Sequence, residues 1–258
     1  MAARAEYMSN HGRPIKLLTF DLDDTLWDFA PVLTRAEAVT HAWLEQRVPA
    51  LTARFSADAL RQLRLRIAGE QPELAHRVTE LRIQGMRHAL REAGTAEHEI
   101  DAIALAAFEI FLEARHGVEL FAEAEAVLAQ LSREYDLAAI TNGNVQVARL
   151  GLDRYFSLAI NAEQLPRPKP HPEPFLAALS RFECSPAQCI HIGDDIENDI
   201  RGAQRVGLHT IWMNPAGQPW PGGTPPSQEI RELPQLPAAI EKIKREVCER
   251  SDAEAHRR

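Results

Sequence analysis

Only three cysteines (Cys184, Cys189 and Cys248) occur in 258 residues, an odd number with no Cys-x-x-Cys pair. That excludes a disulfide framework and a zinc ribbon. No apolar run of 18 residues occurs, and residues 1–14 contain no stretch of signal-peptide hydrophobicity. The reading is therefore a soluble, cytoplasmic protein with no membrane partner. Positive charge is also short: the net charge of −8 gives no overall field for nucleic acid, so no nucleic-acid partner is expected. A chain of this length buries a sizeable core without staples and makes one large or two modest domains.

Lysine is the scarcest charged residue. Four lysines (Lys16, Lys169, Lys242 and Lys244) stand among 29 basic residues, so this chain writes arginine almost wherever a positive charge serves. Lys169, held between Pro168 and Pro170, is the only lysine between residues 17 and 241. A compact ammonium there suits a task that a planar guanidinium fork performs badly. Arginine is concentrated instead between residues 54 and 91, where eight arginines face four acids. Such a segment either turns toward an anionic substrate or forms solvated helix faces with i,i+4 partners.

Short apolar runs predict strands at Lys16–Phe20, Leu137–Thr141, Leu158–Asn161, Cys189–Ile192 and His209–Met213. Amphipathic stretches alternate with the later ones: 122–133, 145–152, 173–182, 196–206 and finally 237–248. That alternation implies a doubly wound α/β core, a parallel sheet covered on both faces. Between the first two strands lie more than a hundred residues without strand pattern. They predict helices over 31–46, 56–68, 72–93 and 96–116, with Gly94 and Gly117 as stop signals. A structureless loop of that length is implausible, so this is an inserted α-helical domain. The division expected is a core of residues 15–28 and 118–248, a helical insert of 29–117, and flexible termini at 1–14 and 249–258. Residues 214–236, rich in Pro and Gly, read as a surface loop.

Chemistry gathers where the strands end. Phe20-Asp21-Leu22-Asp23-Asp24-Thr25-Leu26 places three carboxylates in four positions after a buried-looking run. Two unit charges ~4 Å apart repel by about 4 kcal/mol at an effective dielectric near 20. A fold tolerates this when a hard divalent cation lies between the carboxylates or one must remain a nucleophile; a solvated acidic turn is the plain alternative. Further pieces follow in order: Ala139-Ile140-Thr141-Asn142-Gly143, Arg167-Pro168-Lys169-Pro170, and His191-Ile192-Gly193-Asp194-Asp195 with Asp199 beyond. Gly193 allows a tight turn that brings Asp194 toward the first motif. Asp195 reads as a helix N-cap and His191 as a satisfied core histidine.

With these four motifs, residues 15–215 resemble the haloacid dehalogenase-like (HAD) hydrolase superfamily, mostly magnesium-dependent phosphatases with an aspartate nucleophile. The resemblance implies a Rossmann-like core with the insert as a helical cap over the site. It implies Asp21 as nucleophile and Asp23 as general acid and then base. Thr141, Asn142 and Lys169 would bind the phosphate, and Asp21, the Asp23 backbone carbonyl and Asp194 would hold Mg2+, with Asp199 in support. Asp24 is left to local capping.

The expected partner is a small phosphorylated metabolite, and the expected assembly a monomer or weak homodimer. Within the family the wording of the motifs is similar to bacterial phosphatases acting on 5-amino-6-(5-phospho-D-ribitylamino)uracil and flavin mononucleotide. A promiscuous sugar-phosphate or nucleoside 5'-monophosphate phosphatase is the alternative. Asp23 argues against a dehalogenase of the family, whose leaving group needs no proton. The absence of a cap lysine argues against a phosphonate hydrolase. The complete motif set argues against a non-catalytic binding protein, and no HExxH, GxSxG or GxxxxGK[ST] occurs.

Overall fold

The computed structural model describes residues 14–255. Its core is a six-stranded, all-parallel sheet in the order β3-β2-β1-β4-β5-β6. The strands are β1 (Leu17–Phe20), β2 (Asp136–Thr141), β3 (Leu158–Asn161), β4 (Cys189–Gly193), β5 (His209–Met213) and β6 (Gln228–Ile230). Leu17, Leu18 and Phe20 are wholly buried, as a central parallel strand covered on both faces requires. The five expected strands are present. The sixth lies inside the segment read as a loop, because three residues, Gln-Glu-Ile, carry no alternation to detect.

Five helices lie between β1 and Gly117: α1 (Phe29–Arg47), α2 (Pro49–Arg54), α3 (Ala57–Glu70), α4 (Val78–Glu92) and α5 (Glu97–Arg115). They enclose an apolar cluster of their own, built around Leu44, Leu51, Leu63, Leu90, Ile100 and Phe111. Ser56 caps α3 by accepting the Ala59 N–H. Gly94 ends α4 as expected: at φ 79° it lets its own N–H reach Arg91 O at 3.0 Å while Thr95 N–H reaches Leu90 O at 3.0 Å. The single helix predicted over 72–93 is broken, however. A 3-10 turn at Pro72–Leu74 precedes α4, so His76 and Arg77 stand before the helix rather than on it.

The remaining helices are α6 (Ala124–Leu131), α7 (Pro172–Arg181), α8 (Gly202–Val206) and α9 (Leu236–Ala255). Residues 145–152, predicted helical, form only 3-10 turns at Val147–Leu150 and Leu152–Arg154, separated by Gly151 at φ 67°. α9 runs past the expected end at 248, since Glu249, Arg250, Ala253, Glu254 and Ala255 are strong helix formers. Of the termini expected to be flexible, residues 1–13 and 256–258 lie outside the described residues. No helix among the described residues is long and apolar enough to cross a membrane.

Candidate active site

The strand order decides which side chains meet. β1 lies between β2 and β4, so residues leaving the carboxyl ends of all three converge at one edge, where open α/β sheets bind ligands. Asp21 follows β1 directly, and its N–H still bonds Ile192 O at 2.8 Å. Thr141 ends β2, and Asp194 follows β4.

Lys169 reaches this edge from the loop before α7. Its ammonium donates to Asp21 Oδ1 and to Asp199 Oδ1, each at 2.6 Å, and the side chain is buried. Burial alone would depress a lysine, yet the carboxylates of Asp199 and Asp21 outweigh it and hold Lys169 above its ordinary 10.5. Asn142 fixes the loop. Its Nδ2 donates to Lys169 O at 2.9 Å, and its Oδ1 accepts the Lys169 N–H at 3.0 Å. Both ends of the Asn142 side chain thus face the Lys169 peptide rather than open space for a phosphate. Thr141 Oγ1 accepts the Gly143 N–H at 3.0 Å, which pins the turn after β2.

Asp199 is delivered by a π-helical turn, Ile196–Arg201, in which the Asp199 and Ile200 N–H groups both bond Asp195 O. Asp195 caps that turn by accepting from Glu197 and Asn198 N–H, as its N-cap reading required. Asp199 Oδ2 takes the Asp195 N–H at 3.0 Å, and Oδ1 lies 3.2 Å from His191 Nε2. His191 Nδ1 in turn lies 2.8 Å from Thr19 Oγ1. With Asp199 as acceptor, the network places the imidazole proton on Nε2 and makes Nδ1 an acceptor for the Thr19 hydroxyl. Burial lowers His191 and keeps it neutral. Burial would raise Asp199, but Lys169 and His191 hold it well below the carboxylate range. The reason for Gly193 differs from the turn expected of it: a Cβ there would lie 2.4 Å from Asp199 Cγ, so the glycine makes room for that side chain.

Asp23 has a separate environment. Trp27 Nε1 donates to Oδ1 at 2.8 Å, and Arg115 Nη2 donates to Oδ1 at 2.6 Å and Oδ2 at 2.5 Å. Burial raises Asp23 while Arg115 pulls it down. Asp24, at φ 57°, turns away and accepts the Phe29 N–H at 2.8 Å, at the start of α1. This is the local capping role foreseen for it.

The residues that could hold a cation are Asp21, Asp194 and Asp199, whose carboxylate oxygens lie within 4.8 Å of one another. Hard oxygen donors of this kind and number suit magnesium, which keeps several of its waters. The Asp23 carboxylate is not among them, being taken by Arg115 and Trp27. Asp194 receives the Thr25 hydroxyl at 3.3 Å, and burial pushes its carboxyl up to about 7.

A raised carboxyl contributes stability that is full below its unfolded value of 3.8 and lost as the pH climbs through about 7. A gap of ~3 units is worth at most about 4 kcal/mol, and roughly half that once solvent access to the group is allowed for. Metal-free protein is expected to lose stability between pH 4 and 7, with Asp194→Asn flattening that slope by about 2 kcal/mol. Denaturant titrations in chelator at several pH values check this. An unchanged slope in the variant would show that Asp194 does not titrate in that window.

The basic segment is disposed differently from the expectation. Arg64 and Arg82 turn inward to the buried Glu37, and Arg82 also stacks on Phe111 at 3.5 Å from the ring centroid. Arg87 pairs with Asp101 at 2.8 Å, and Arg91 with Glu97 at 2.9 Å. The arginine that does reach the motif acids, Arg115, lies outside that segment. Its one sequence signal is its position as the last helical residue before Gly117, where the chain returns to the core.

Residues 15–207 match the haloacid dehalogenase-like hydrolase family, and the chain belongs to it. Three proteins to which it is similar differ in their activities. The 5-amino-6-(5-phospho-D-ribitylamino)uracil phosphatase YigB of Escherichia coli K12 is 34% identical over 230 residues, 88% of this chain and 96% of its own. The phosphoserine phosphatase of Thermus thermophilus is 31% identical over 83% of this chain and 80% of its own. The crystal structure of a 2-haloacid dehalogenase from Pseudomonas syringae pv. Tomato DC3000 is similar with a TM-score of 0.84 and 42% identity, over 88% of this chain and 99% of its own.

Proposed function

We propose that this phosphoric monoester hydrolase is magnesium-dependent and acts on a small phosphorylated metabolite through a phosphoryl group carried on Asp21. The observation that supports it is the different company kept by two acids of one tetrapeptide. Asp21 lies against Lys169 and the acidic cluster, whereas Asp23 lies against Arg115 and Trp27. Two carboxyls held in unlike environments divide into nucleophile and acid–base.

With Lys169 on Oδ1, the other oxygen of Asp21 attacks phosphorus in line with the departing ester oxygen. Asp23 gives that oxygen its proton and then takes one from the water that attacks the acyl phosphate. Thr141 and Lys169 meet the equatorial oxygens, over which the transition state spreads its charge. Asn142 serves by holding Lys169. Magnesium, held by Asp21, Asp194 and the Asp23 carbonyl with Asp199 behind, would neutralise the charge of the phosphoryl group. The supporting YigB likeness favours 5-amino-6-(5-phospho-D-ribitylamino)uracil or flavin mononucleotide, and hence riboflavin biosynthesis, over sugar phosphates and nucleoside 5'-monophosphates.

The dehalogenase likeness favours a second reading, in which Asp21 displaces halide from a 2-haloacid. Halide needs no proton donor, and that reading leaves Asp23 and the acidic cluster without a task. A panel of these esters with phosphoserine and an aryl phosphate, assayed with magnesium or chelator beside 2-chloropropionate, separates the two. Phosphate release that requires magnesium is expected. Chloride release, with phosphate esters inert, would overturn the proposal.

A further inference from the structure

Arg115 is the point at which the helical insert enters the chemistry. Other contacts join the helices to the core. Thr79 N–H donates to Glu163 at 2.5 Å, Asn144 Nδ2 to Thr79 Oγ1 at 3.2 Å, and Gln146 N–H to His116 at 3.0 Å. None of these touches a motif acid. Arg115 alone among the described residues of α1–α5 bonds Asp21, Asp23, Asp194 or Asp199, and it does so from the last residue of α5 with a guanidinium that is 2% exposed.

Three details make this more than a surface pair. One nitrogen, Nη2, serves both oxygens of Asp23, and together with Trp27 Nε1 on Oδ1 it sets the plane of the carboxylate as well as its position. Gly143 leaves the approach open: a Cβ there would stand 2.9 Å from Asp23 Oδ2 and 3.6 Å from Arg115 Nη2. The other terminal nitrogen, Nη1, is buried with no hydrogen-bond partner among the described residues. Buried donors are nearly always satisfied, so a fold that leaves one bare gives up stability to keep this guanidinium where it is.

We propose that Arg115 is the positioning residue for Asp23, aiming its carboxyl at the leaving-group oxygen and making that aim depend on the seating of α5 against the core. Trp27, which belongs to the core loop, holds only Oδ1. Without Arg115 the carboxyl can turn about that single bond, and the second oxygen is no longer directed. The inference rests on the acid–base role proposed for Asp23.

The test is the leaving-group dependence of Arg115→Lys and Arg115→Ala, measured with magnesium on an alkyl phosphate and on p-nitrophenyl phosphate. An alkoxide needs its proton and a nitrophenolate hardly does. Both variants are expected to lose at least tenfold in kcat/KM on the alkyl ester and less than threefold on the aryl ester, because kcat/KM reports the steps up to departure of the alcohol and not the attack of water that both esters share. Lysine is expected not to rescue, because its ammonium ends one bond short of the place that Nη2 occupies between the two oxygens. Added guanidinium ion is expected to restore part of the alkyl activity to Arg115→Ala. Equal losses on both esters, or none on either, would overturn the role of Arg115 while leaving the phosphatase reading intact. Wild-type protein inactive on both esters would overturn that reading instead. If neither variant folds, as judged by thermal melting, Arg115 is a structural tie and the proposal is wrong.

Discussion

Asp21→Asn is expected to give a folded protein with no measurable turnover, a loss of more than ~10³-fold or about 4 kcal/mol in the barrier. The amide fits where the carboxylate was but cannot attack phosphorus. Stability is expected to stay within about 1 kcal/mol of wild type or to rise, for a reason visible in the site. Burial pushes the Asp21 carboxyl well above its ordinary value, and Lys169 only partly offsets that cost. A neutral side chain removes the cost, and Lys169 keeps its second partner, Asp199. Steady-state kinetics and a thermal melt check both halves. Activity within tenfold of wild type, ~1.4 kcal/mol, would show that no phosphoryl group passes through Asp21.

The residues that gather at the sheet edge were legible because each follows an apolar run or an unusual choice of residue. Asp21, Thr141 and Asp194 stand at strand ends, which period and composition locate within a residue or two. Lys169 stood out because a chain that otherwise writes arginine placed a lysine between two prolines. Asn142 was legible as part of the loop but not in its action, since whether an amide faces a ligand or a neighbouring peptide depends on backbone that is distant in sequence. Arg115 was hidden for a different reason. Along an amphipathic helix it is written with the same letter as Arg54 or Arg91, both exposed at ion pairs, and only the docking of α5 distinguishes it. The basic segment misled for the converse reason: its excess charge is real, but Glu37 lies buried among Arg64 and Arg82 and draws them inward. The break before α4 depends likewise on a tertiary partner, the Glu163 carboxylate that meets the Thr79 N–H at the helix N-terminus.

Lys169→Met should cost both activity and stability. In the wild type the ammonium lies 2.6 Å from Asp21 and from Asp199, in a site where Asp194 brings a third carboxylate within 4.8 Å of both. Methionine matches the length of the side chain but leaves the acids without their internal cation. Removing one partner of a buried ion pair costs about 3–5 kcal/mol. In a chain of this size that lowers the melting temperature by roughly 10 °C. The pH window follows from the two partners. Lys169 is raised above 10.5, so its contribution is full below that value and is lost as the pH rises through the folded one. Asp199 is depressed below 3.8, so its contribution is full above that value and is lost as the pH falls through the folded one. Asp21 and Asp194 are raised by burial, so the difference between wild type and Lys169→Met is expected to be largest below about pH 10 where these acids are ionised, and to narrow as the pH falls through them and again as it rises above about 10. Magnesium is expected to raise the melting temperature of the variant more than that of wild type, because a divalent cation among the three carboxylates supplies charge the variant lacks. It is not expected to restore turnover, since the ammonium proposed to meet the phosphoryl oxygens is gone. Lys169→Arg is expected to be inactive as well, the buried slot between Asp21 and Asp199 being shaped for a single nitrogen. A variant that melts like wild type in chelator at pH 7 would show that the acids are neutral there and that Lys169 does not hold the site together.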